Sequence, residues 1–282
     1  MSVHIITDSG CDILPDEALR LGVEVLPLKT YFGETEYLDG VTIDHDTFFQ
    51  LLIETDLFPK TSQLTPYEYE EKFKEIQNAG DTAVCITLSS KLSGCYQSAL
   101  LAAQDFEGCI YVVDSENATV GQRLLVELAL RLKNEGKSAA EISEVLEVQK
   151  KKVRLIALLD TLEYLKKGGR ISAATALAGT LLSIKPVVAV EKGEVVLLGQ
   201  ARGSKNGNNK LNEFVTRSGE IAFDLPYSLA YSGLSDALLQ KYIRDSAALY
   251  EGHTDNLPCC TIGSAIGTHV GPGAIAASFF VK

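Results

Sequence analysis

Short hydroxyl-bearing segments are the parts of this sequence best suited to bind a ligand. Thr61 and Ser62 stand just before a predicted helix, and Ser93 and Gly94 open another. Hydroxyls and the free N–H groups of a helix start are neutral hydrogen-bond donors, and the helix dipole favours an anion there. Such donors suit a carboxylate better than a metal ion, which needs more negative or imidazole ligands. Each segment alone is more often a helix cap than a binding site.

A glycine-rich segment around His269 is the second candidate. Residues 266–273 contain three glycines and one proline around a single histidine. This composition predicts a tight loop with exposed backbone, to which a ligand can approach closely. A lone histidine is more often structural than functional, so both roles of His269 stay open on this evidence.

Two local clusters of basic residues stand out in a chain whose formal net charge is −11. Lys166, Lys167 and Arg170 form the first, and Arg202 with Lys205 forms the second. Cations near a helix C-terminus followed by glycine explain Lys166 and Lys167. They do not explain Arg170 or Arg202.

The overall composition restricts the class of protein. The chain has 282 residues, of which 46% are hydrophobic, and its pI is about 4.9. This is enough apolar material for a core and a ligand cavity, whereas the acidic balance argues against a nucleic-acid or anionic-membrane surface. The six cysteines form no C-x-x-C pair, so no metal site is expected. The first residues lack the basic flank and the apolar core of a signal peptide, and no uncharged apolar run reaches about 18 residues, so we expect a cytoplasmic chain without a membrane span.

Predicted strands and helices alternate along the first half of the chain. This order is typical of a three-layer α/β/α unit with a parallel sheet, in which ligands collect at the carboxyl ends of the strands. The predicted strands cover residues 3–7, 23–28, 83–88 and 109–113, and the predicted helices cover residues 15–21, 44–55, 66–77, 93–103, 119–134 and 139–152.

The second half of the chain has a different pattern. A Lys192-Gly193 turn between two β-branched runs predicts a hairpin, and therefore a sheet that is at least partly antiparallel. We place a domain boundary near residue 153, which gives an N-terminal α/β domain of residues 1–152 and a C-terminal α/β domain of residues 153–282. Predicted strands cover residues 154–158, 185–190, 194–198, 228–231, 259–263 and 274–281, and predicted helices cover residues 162–167, 173–182, 204–217 and 236–250.

Eight segments taken together resemble the DegV family. They occur in the family's order and span nearly the whole chain, so their combination is specific although each is weak alone. The matching segments are TDSG from Thr7, TSQLTP from Thr61, SSKLSGCYQSA from Ser89, VVDSENATVG from Val112, LDTLEYLKKGGRIS from Leu159, LLSIKPVV from Leu181, ARGSKNG from Ala201 and IGTHVGPGA from Ile266. Two departures, Leu64-Thr65 and Cys95, border these segments without removing their donors.

The resemblance implies a two-domain DegV-like fold with a long-chain fatty acid between the domains. The acyl tail would lie in an apolar tunnel largely within residues 153–282, and residues 173–182 could line its end. By analogy with the family, the carboxylate would meet Thr61, Ser93 and His269, with Ser62 and Gly94 as neighbours. No cofactor other than the bound fatty acid is implied.

The resemblance also implies a partner. Some members are the acyl-carrying subunit of bacterial fatty acid kinase, in which a separate ATP-binding subunit phosphorylates the bound carboxylate to an acyl phosphate for phospholipid synthesis. The chain itself would then be a lipid-binding subunit and not an enzyme. Arg170 and Arg202 match the family's arginines, and we expect them to dock this partner.

Two other functions remain open from the sequence. Ser93, His269 and either Asp8 or Asp114 supply the residue types of a serine hydrolase acting on acyl esters, although the G-x-S-x-G elbow is missing. DegV proteins also resemble the substrate domain of dihydroxyacetone kinase, which suggests a carbonyl-sugar-binding kinase subunit. That function would need a small polar pocket.

Overall fold

The N-terminal half is built around a four-stranded parallel sheet. The computed structural model describes residues 2–171, 184–254 and 257–282. Strand Thr82–Thr87 is buried over almost its whole length, as expected for a parallel sheet covered on both faces. In spatial order the strands are Glu24–Leu26, Val3–Asp8, Thr82–Thr87 and Ile110–Asp114.

Helices cover both faces of this sheet, because alternate strand residues point to opposite sides. Ile6 and Cys85 pack in one apolar cluster with Phe73 of helix Pro66–Asn78. Ile5 on the other face packs in a second cluster with residues of helix Thr119–Asn134. The predicted three-layer α/β/α arrangement with a parallel sheet is therefore confirmed.

The C-terminal half contains a six-stranded mixed sheet, which confirms the second part of the predicted fold. Only the pair Tyr227–Tyr231 and Cys259–Thr261 is parallel, and the other neighbouring strands are antiparallel. The predicted hairpin turn is present, with Lys192 and Gly193 both at positive φ. In spatial order the strands are Glu194–Arg202, Ile184–Glu191, Val153–Leu158, Ile275–Phe280, Tyr227–Tyr231 and Cys259–Thr261.

A small antiparallel sheet was not foreseen from the sequence. Its strands, in spatial order, are Thr35–Leu38, Lys29–Phe32 and Lys60–Ser62. They are only three or four residues long and carry many polar side chains, so they lack the apolar alternation that identifies a strand. This sheet positions Thr61, which pairs with Thr30.

Side-chain caps mark the beginning of three of the described α-helices, at Asp44, Thr65 and Ser138. Thr65 and Glu68 form a reciprocal capping box at the start of one helix, and Ser138 and Glu141 form another. The helices are Pro15–Leu21, His45–Glu54, Pro66–Asn78, Cys95–Ala103, Thr119–Asn134, Ala139–Gln149, Glu163–Lys167, Ser204–Arg217, Ala237–Asp245, Ala247–Tyr250 and Ser264–Val270, with 3₁₀ turns at Ser9–Cys11, Gln104–Phe106 and Lys150–Lys152.

Three sequence predictions need correction. The predicted loop over residues 266–273 is wrong, because helix Ser264–Val270 occupies most of it. The predicted helix over residues 236–250 is divided at Ser246, whose hydroxyl donates to the Tyr242 carbonyl at 2.7 Å; such bonding back into the preceding turn bends a helix. The predicted helix over residues 139–152 ends at Gln149 and continues as a 3₁₀ turn.

Some predictions are not tested by the fold. The helix predicted over residues 173–182 lies outside the described residues. The domain boundary near residue 153 stays a prediction, although the two large sheets draw their strands from opposite sides of it. In the described part of the chain, no helix has the length and apolar character needed to cross a membrane. All six cysteines are described, and all are free.

Candidate functional site

One cavity of about 330 Å³ lies between the parallel sheet and the mixed sheet. Most of its wall is aliphatic and comes from both halves of the chain, including Leu28, Leu88, Leu155, Val188, Val195 and Ile266. All five residues predicted to bind a carboxylate line it, namely Thr61, Ser62, Ser93, Gly94 and His269. The structure therefore gathers these residues in one apolar cavity.

Thr61 and His269 are in direct contact. Thr61 Oγ1 lies 2.9 Å from His269 Nε2. The strand that carries Thr61 pairs with Thr30, and Thr30 Oγ1 lies 2.9 Å from Ser264 Oγ at the start of the His269 helix. Two hydrogen bonds therefore hold the small sheet against helix Ser264–Val270.

Buried carboxylates fix the beginning of that helix. Asp39 Oδ1 accepts hydrogen bonds from the Ser264 backbone N–H at 2.7 Å and from its hydroxyl at 2.8 Å. Asp12 Oδ1 accepts from the Gly263 N–H at 2.8 Å. These carboxyl oxygens satisfy N–H groups that a helix start leaves unpaired. They anchor the His269 helix to the N-terminal half of the chain.

His269 is neutral at physiological pH. Burial, together with the nearby positive charge of Arg170, lowers the pKa of its imidazole to about 3. Its Nδ1 atom is buried and has no hydrogen-bond partner among the described residues. His269 is therefore an uncharged group at the cavity wall.

Ser93 and Gly94 form the start of helix Cys95–Ala103, as the sequence predicted. Ser93 Oγ accepts from the Cys95 N–H at 3.3 Å and lies 3.2 Å from the Cys95 thiol. A Cβ atom at Gly94 would lie 1.8 Å from Gln63 Oε1. A side chain at position 94 would therefore have to displace the end of the Gln63 side chain, although the φ of −80° at this position is open to any residue.

The two arginines occupy different environments. Arg170 is half-buried and lines the cavity, where its Nε donates to the Leu92 carbonyl at 3.1 Å and its Nη1 donates to the Gly168 carbonyl at 2.5 Å. No carboxylate of the described residues forms an ion pair with Arg170, and burial lowers the pKa of its guanidinium. Arg202 is exposed at the end of strand Glu194–Arg202 and does not line the cavity.

A cluster of buried acids lies beside the site, and sequence reasoning recognised it only in part. Asp8 was singled out in the sequence as a possible triad acid and lies in the TDSG segment, but Asp12 and Asp39 carried no sequence signal. Burial raises the pKa of Asp8 to about 6, against the lowering effect of N–H donors such as Leu88 at 2.7 Å. Burial also raises the pKa of Asp12 to about 8 and that of Asp39 above its ordinary value.

The residues do not form the hydrogen-bond relay of a serine hydrolase. Among the described residues, His269 Nε2 contacts Thr61, and no hydrogen bond joins Ser93 to His269. Asp8 accepts from the backbone N–H groups of Leu88 and Gly10, and Asp114 accepts from those of Ser90 and Glu116. Neither acid orients the histidine, so the triad geometry is not present.

The fold and the cavity define an α/β protein in which a parallel sheet and a mixed sheet enclose an apolar pocket. The chain belongs to the DegV family: the family model described as "Uncharacterised protein, DegV family" matches residues 2–282. It is similar to a DegV domain-containing protein of Caldanaerobacter subterraneus subsp. tengcongensis, with 31% identity over 99% of both chains. A second such protein, from Deinococcus radiodurans, is 33% identical over 98% of this chain and 97% of its own length.

Solved structures of similar proteins are described by their fatty acid binding. The chain is similar to a DegV family protein from Thermus thermophilus described by its fatty acid binding, with a TM-score of 0.89 and 32% identity over 100% of both chains. It is also similar to a stearic acid-binding protein from Eubacterium ventriosum, with a TM-score of 0.87 and 28% identity over 99% of this chain and 98% of the other. Fatty acid binding is therefore a property of DegV structures with this fold.

Proposed function

We propose that this chain binds a long-chain fatty acid in the cavity between its two large sheets. The acyl tail would lie along the aliphatic wall, and the carboxylate would sit among the five polar positions, which are Thr61, Ser62, Ser93, Gly94 and His269. The observation that carries the proposal is their convergence: segments more than 200 positions apart meet in one apolar cavity. The separate sequence motifs do not by themselves require these residues to lie in the same cavity.

The energetics of such a site are favourable. Each buried methylene contributes roughly 0.8 kcal/mol, so a tail of about 15 methylenes supplies about 12 kcal/mol. Association costs of about 4–15 kcal/mol offset much of this gain. Since an unpaired carboxylate in an apolar cavity is very costly, hydrogen-bond donors at the head group are required. Thr61, Ser62 and Ser93 carry hydroxyl donors for this purpose.

The character of the cavity favours an acyl chain over a carbonyl sugar. Sugars need hydrogen bonds to most of their hydroxyls, whereas the wall here is mainly leucine, valine, isoleucine and alanine. Arg170 is the one permanently charged residue among the described cavity residues. The polar groups are therefore sufficient for one small anionic head group.

We further propose that the chain acts in the cytoplasm as an acyl-carrying subunit. An ATP-binding kinase subunit would dock over the head group and phosphorylate the carboxylate, and the acyl phosphate would enter phospholipid synthesis. The family resemblance supports this step. Arg202 and Lys205 are both exposed and present positive charge on an acidic chain, as an acidic or phosphate-bearing partner would require.

Extraction of the purified protein tests lipid binding directly. We expect mass spectrometry of the organic extract to find a long-chain fatty acid in a ratio close to one per chain. Ala157 lines the cavity, so Ala157→Phe should fill it and abolish the bound lipid. Ala79 is exposed, and Ala79→Phe is the matched control that should keep the lipid. An empty wild-type protein that also fails to bind added palmitate or oleate would disprove the proposal.

A further inference from the structure

The packing of His269 against Gly168 has a consequence for the polar end of the cavity. We propose that Gly168 is a positioning residue, which holds the His269 ring as the Nε2–H tautomer so that the hydroxyl of Thr61 is left to donate to the ligand. The part of this inference that concerns the ligand depends on the proposed fatty acid function. The inference gives Gly168, which precedes Gly169 and Arg170, a role that does not depend on partner docking.

A glycine is needed at position 168 because a side chain there has no space, and not because of its backbone conformation. Its φ of −75° and ψ of −10° are open to any residue. A Cβ atom on Gly168 would lie 2.1 Å from His269 Nδ1 and 2.8 Å from its Cε1 atom. Both distances are below any real contact, so a side chain at position 168 must displace the imidazole. The ring therefore lies directly against the backbone of Gly168.

With the ring held in this position, the surroundings of its two nitrogens decide which one carries the proton. Nδ1 is buried and has no acceptor among the described residues, whereas Nε2 lies 2.9 Å from Thr61 Oγ1. Orphaned buried N–H groups are rarer in proteins than unpaired acceptors. The single proton of the neutral ring is therefore placed on Nε2, where it has an acceptor.

The tautomer in turn sets the role of Thr61. A hydroxyl has one proton to donate and can accept two hydrogen bonds. If Nε2–H donates to Thr61 Oγ1, the proton of that hydroxyl is not needed by the histidine. Thr61 lines the cavity, so its proton can be donated to a carboxylate there. His269 then acts on the ligand through Thr61.

The neighbouring Arg170 supports the same arrangement. Its guanidinium binds the carbonyls of Gly168 and Leu92, so it holds Gly168 in place and joins this segment to the residue before Ser93. Its positive charge also disfavours a second proton on His269. The segment from Gly168 to Arg170 thus lies against His269, the partner of Thr61, and also binds the residue that precedes Ser93.

Nitrogen-15 NMR of the histidine rings in the ligand-free protein tests the inference. The His269 signals can be assigned by their loss in His269→Gln, since the chain has four histidines. We expect the Nε2–H tautomer, with no titration between about pH 5 and 8, where an ordinary histidine titrates near 6.5. An Nδ1–H tautomer in the wild-type protein would overturn the proposal, and this measurement needs no variant at position 168.

Two adjacent glycine variants give the second test. Gly168→Ala should mix the tautomers, bring the titration of His269 towards pH 6.5, and weaken palmitate binding by about 10- to 150-fold, the range for one hydrogen bond to a charged group. Gly169 has a φ of +70°, and no atom of the described residues lies within 4 Å of the position that a Cβ would take there. Gly169→Ala should therefore lose stability but keep the His269 spectrum.

The outcomes separate this inference from the lipid-binding proposal. Wild-type ring signals and wild-type affinity in Gly168→Ala would show that Gly168 does not position His269. A wild-type protein with the expected tautomer that binds no fatty acid would instead disprove the proposed function and leave the role of Gly168 in fixing the ring intact.

Discussion

Thr61 and His269 lie 208 positions apart and are joined by a side-chain contact of 2.9 Å at the cavity wall. One residue belongs to a strand of the small antiparallel sheet, and the other to the last turn of helix Ser264–Val270. Anything that separates this sheet from this helix also opens the polar end of the cavity. The stability of that contact and the binding of a head group are therefore linked.

Removing the Thr61 hydroxyl should weaken ligand binding without unfolding the chain. Thr61→Val keeps the shape of the side chain and loses one hydrogen bond to a charged group, which is worth roughly 1.5–3 kcal/mol or about 10- to 150-fold in affinity. Thr61→Ser should retain most of the affinity. Titration with palmitate measures both, and Thr216→Val, on the exposed face of a distant helix, is the control. Equal affinity in Thr61→Val and Thr216→Val would place the carboxylate elsewhere.

Removing the Asp39 carboxylate should affect both stability and binding. Asp39 accepts hydrogen bonds from Ser264 and from the Ser9 hydroxyl at 2.8 Å, and it is buried. Asp39→Ala leaves these donors unpaired, at a cost of about 1–3 kcal/mol for each buried group. Urea denaturation should show this loss, and palmitate affinity should fall because the His269 helix loses its anchor. Asp105→Ala, which removes an exposed carboxylate, should change neither quantity.

Asp12 should make the protein less stable as the pH rises. Burial raises its pKa to about 8 from an ordinary value of 3.8. Between these values the unfolded chain has lost the proton that the folded chain still holds, so the free energy of unfolding falls as the pH increases and reaches its lower level above pH 8. Asp8, with a pKa raised to about 6, contributes in the same direction at lower pH.

Asp12→Asn should remove the Asp12 part of this pH dependence. Asparagine tolerates the left-handed φ of 55° at this position and can still accept from the Gly263 N–H. Its amide takes the place of Oδ2, which has no partner among the described residues. We expect the variant to gain stability relative to the wild type at pH 8.5 more than at pH 5, as measured by urea denaturation. Parallel pH profiles for the two proteins would contradict this assignment.

Arg202 provides the clearest test of partner docking. Arg202→Ala should bind palmitate normally and keep its melting temperature, because Arg202 is exposed and lies away from the cavity. In acyl-phosphate formation by an ATP-binding fatty acid kinase subunit, the apparent Michaelis constant for the Arg202→Ala variant should be higher than that for the wild-type protein. The association of the wild-type protein with this subunit should weaken as the salt concentration rises. Arg244→Ala removes the same charge from another exposed position and is the matched control. Identical kinetics for the two variants would exclude docking through Arg202.

Arg170 should behave differently, because it is half-buried and holds the Leu92 and Gly168 carbonyls. Arg170→Ala should therefore lower both the melting temperature and palmitate affinity, in contrast to Arg202→Ala. A variant that melts and binds lipid as the wild type does but fails with the kinase subunit would instead support docking alone. Calorimetry and palmitate titration on the same preparations distinguish the two results.

The sequence by itself determined the large elements and the chemical character of the site. Buried β-branched runs, helical periodicity and caps such as Thr65 predicted most strands and helices, because these signals arise from residues close together in the chain. Hydroxyls at Thr61 and Ser93 predicted an anion site for the same local reason. The glycines around His269 predicted a loop, and this was wrong because packing against the rest of the molecule stabilises a helix there despite their low helix propensity.

Only the tertiary structure decided which groups meet: that Asp39 holds Ser264, that His269 lies against Gly168, and that Arg170 faces the cavity while Arg202 faces solvent. These relationships depend on contacts between residues far apart in sequence, for which the local pattern of one chain carries no signal.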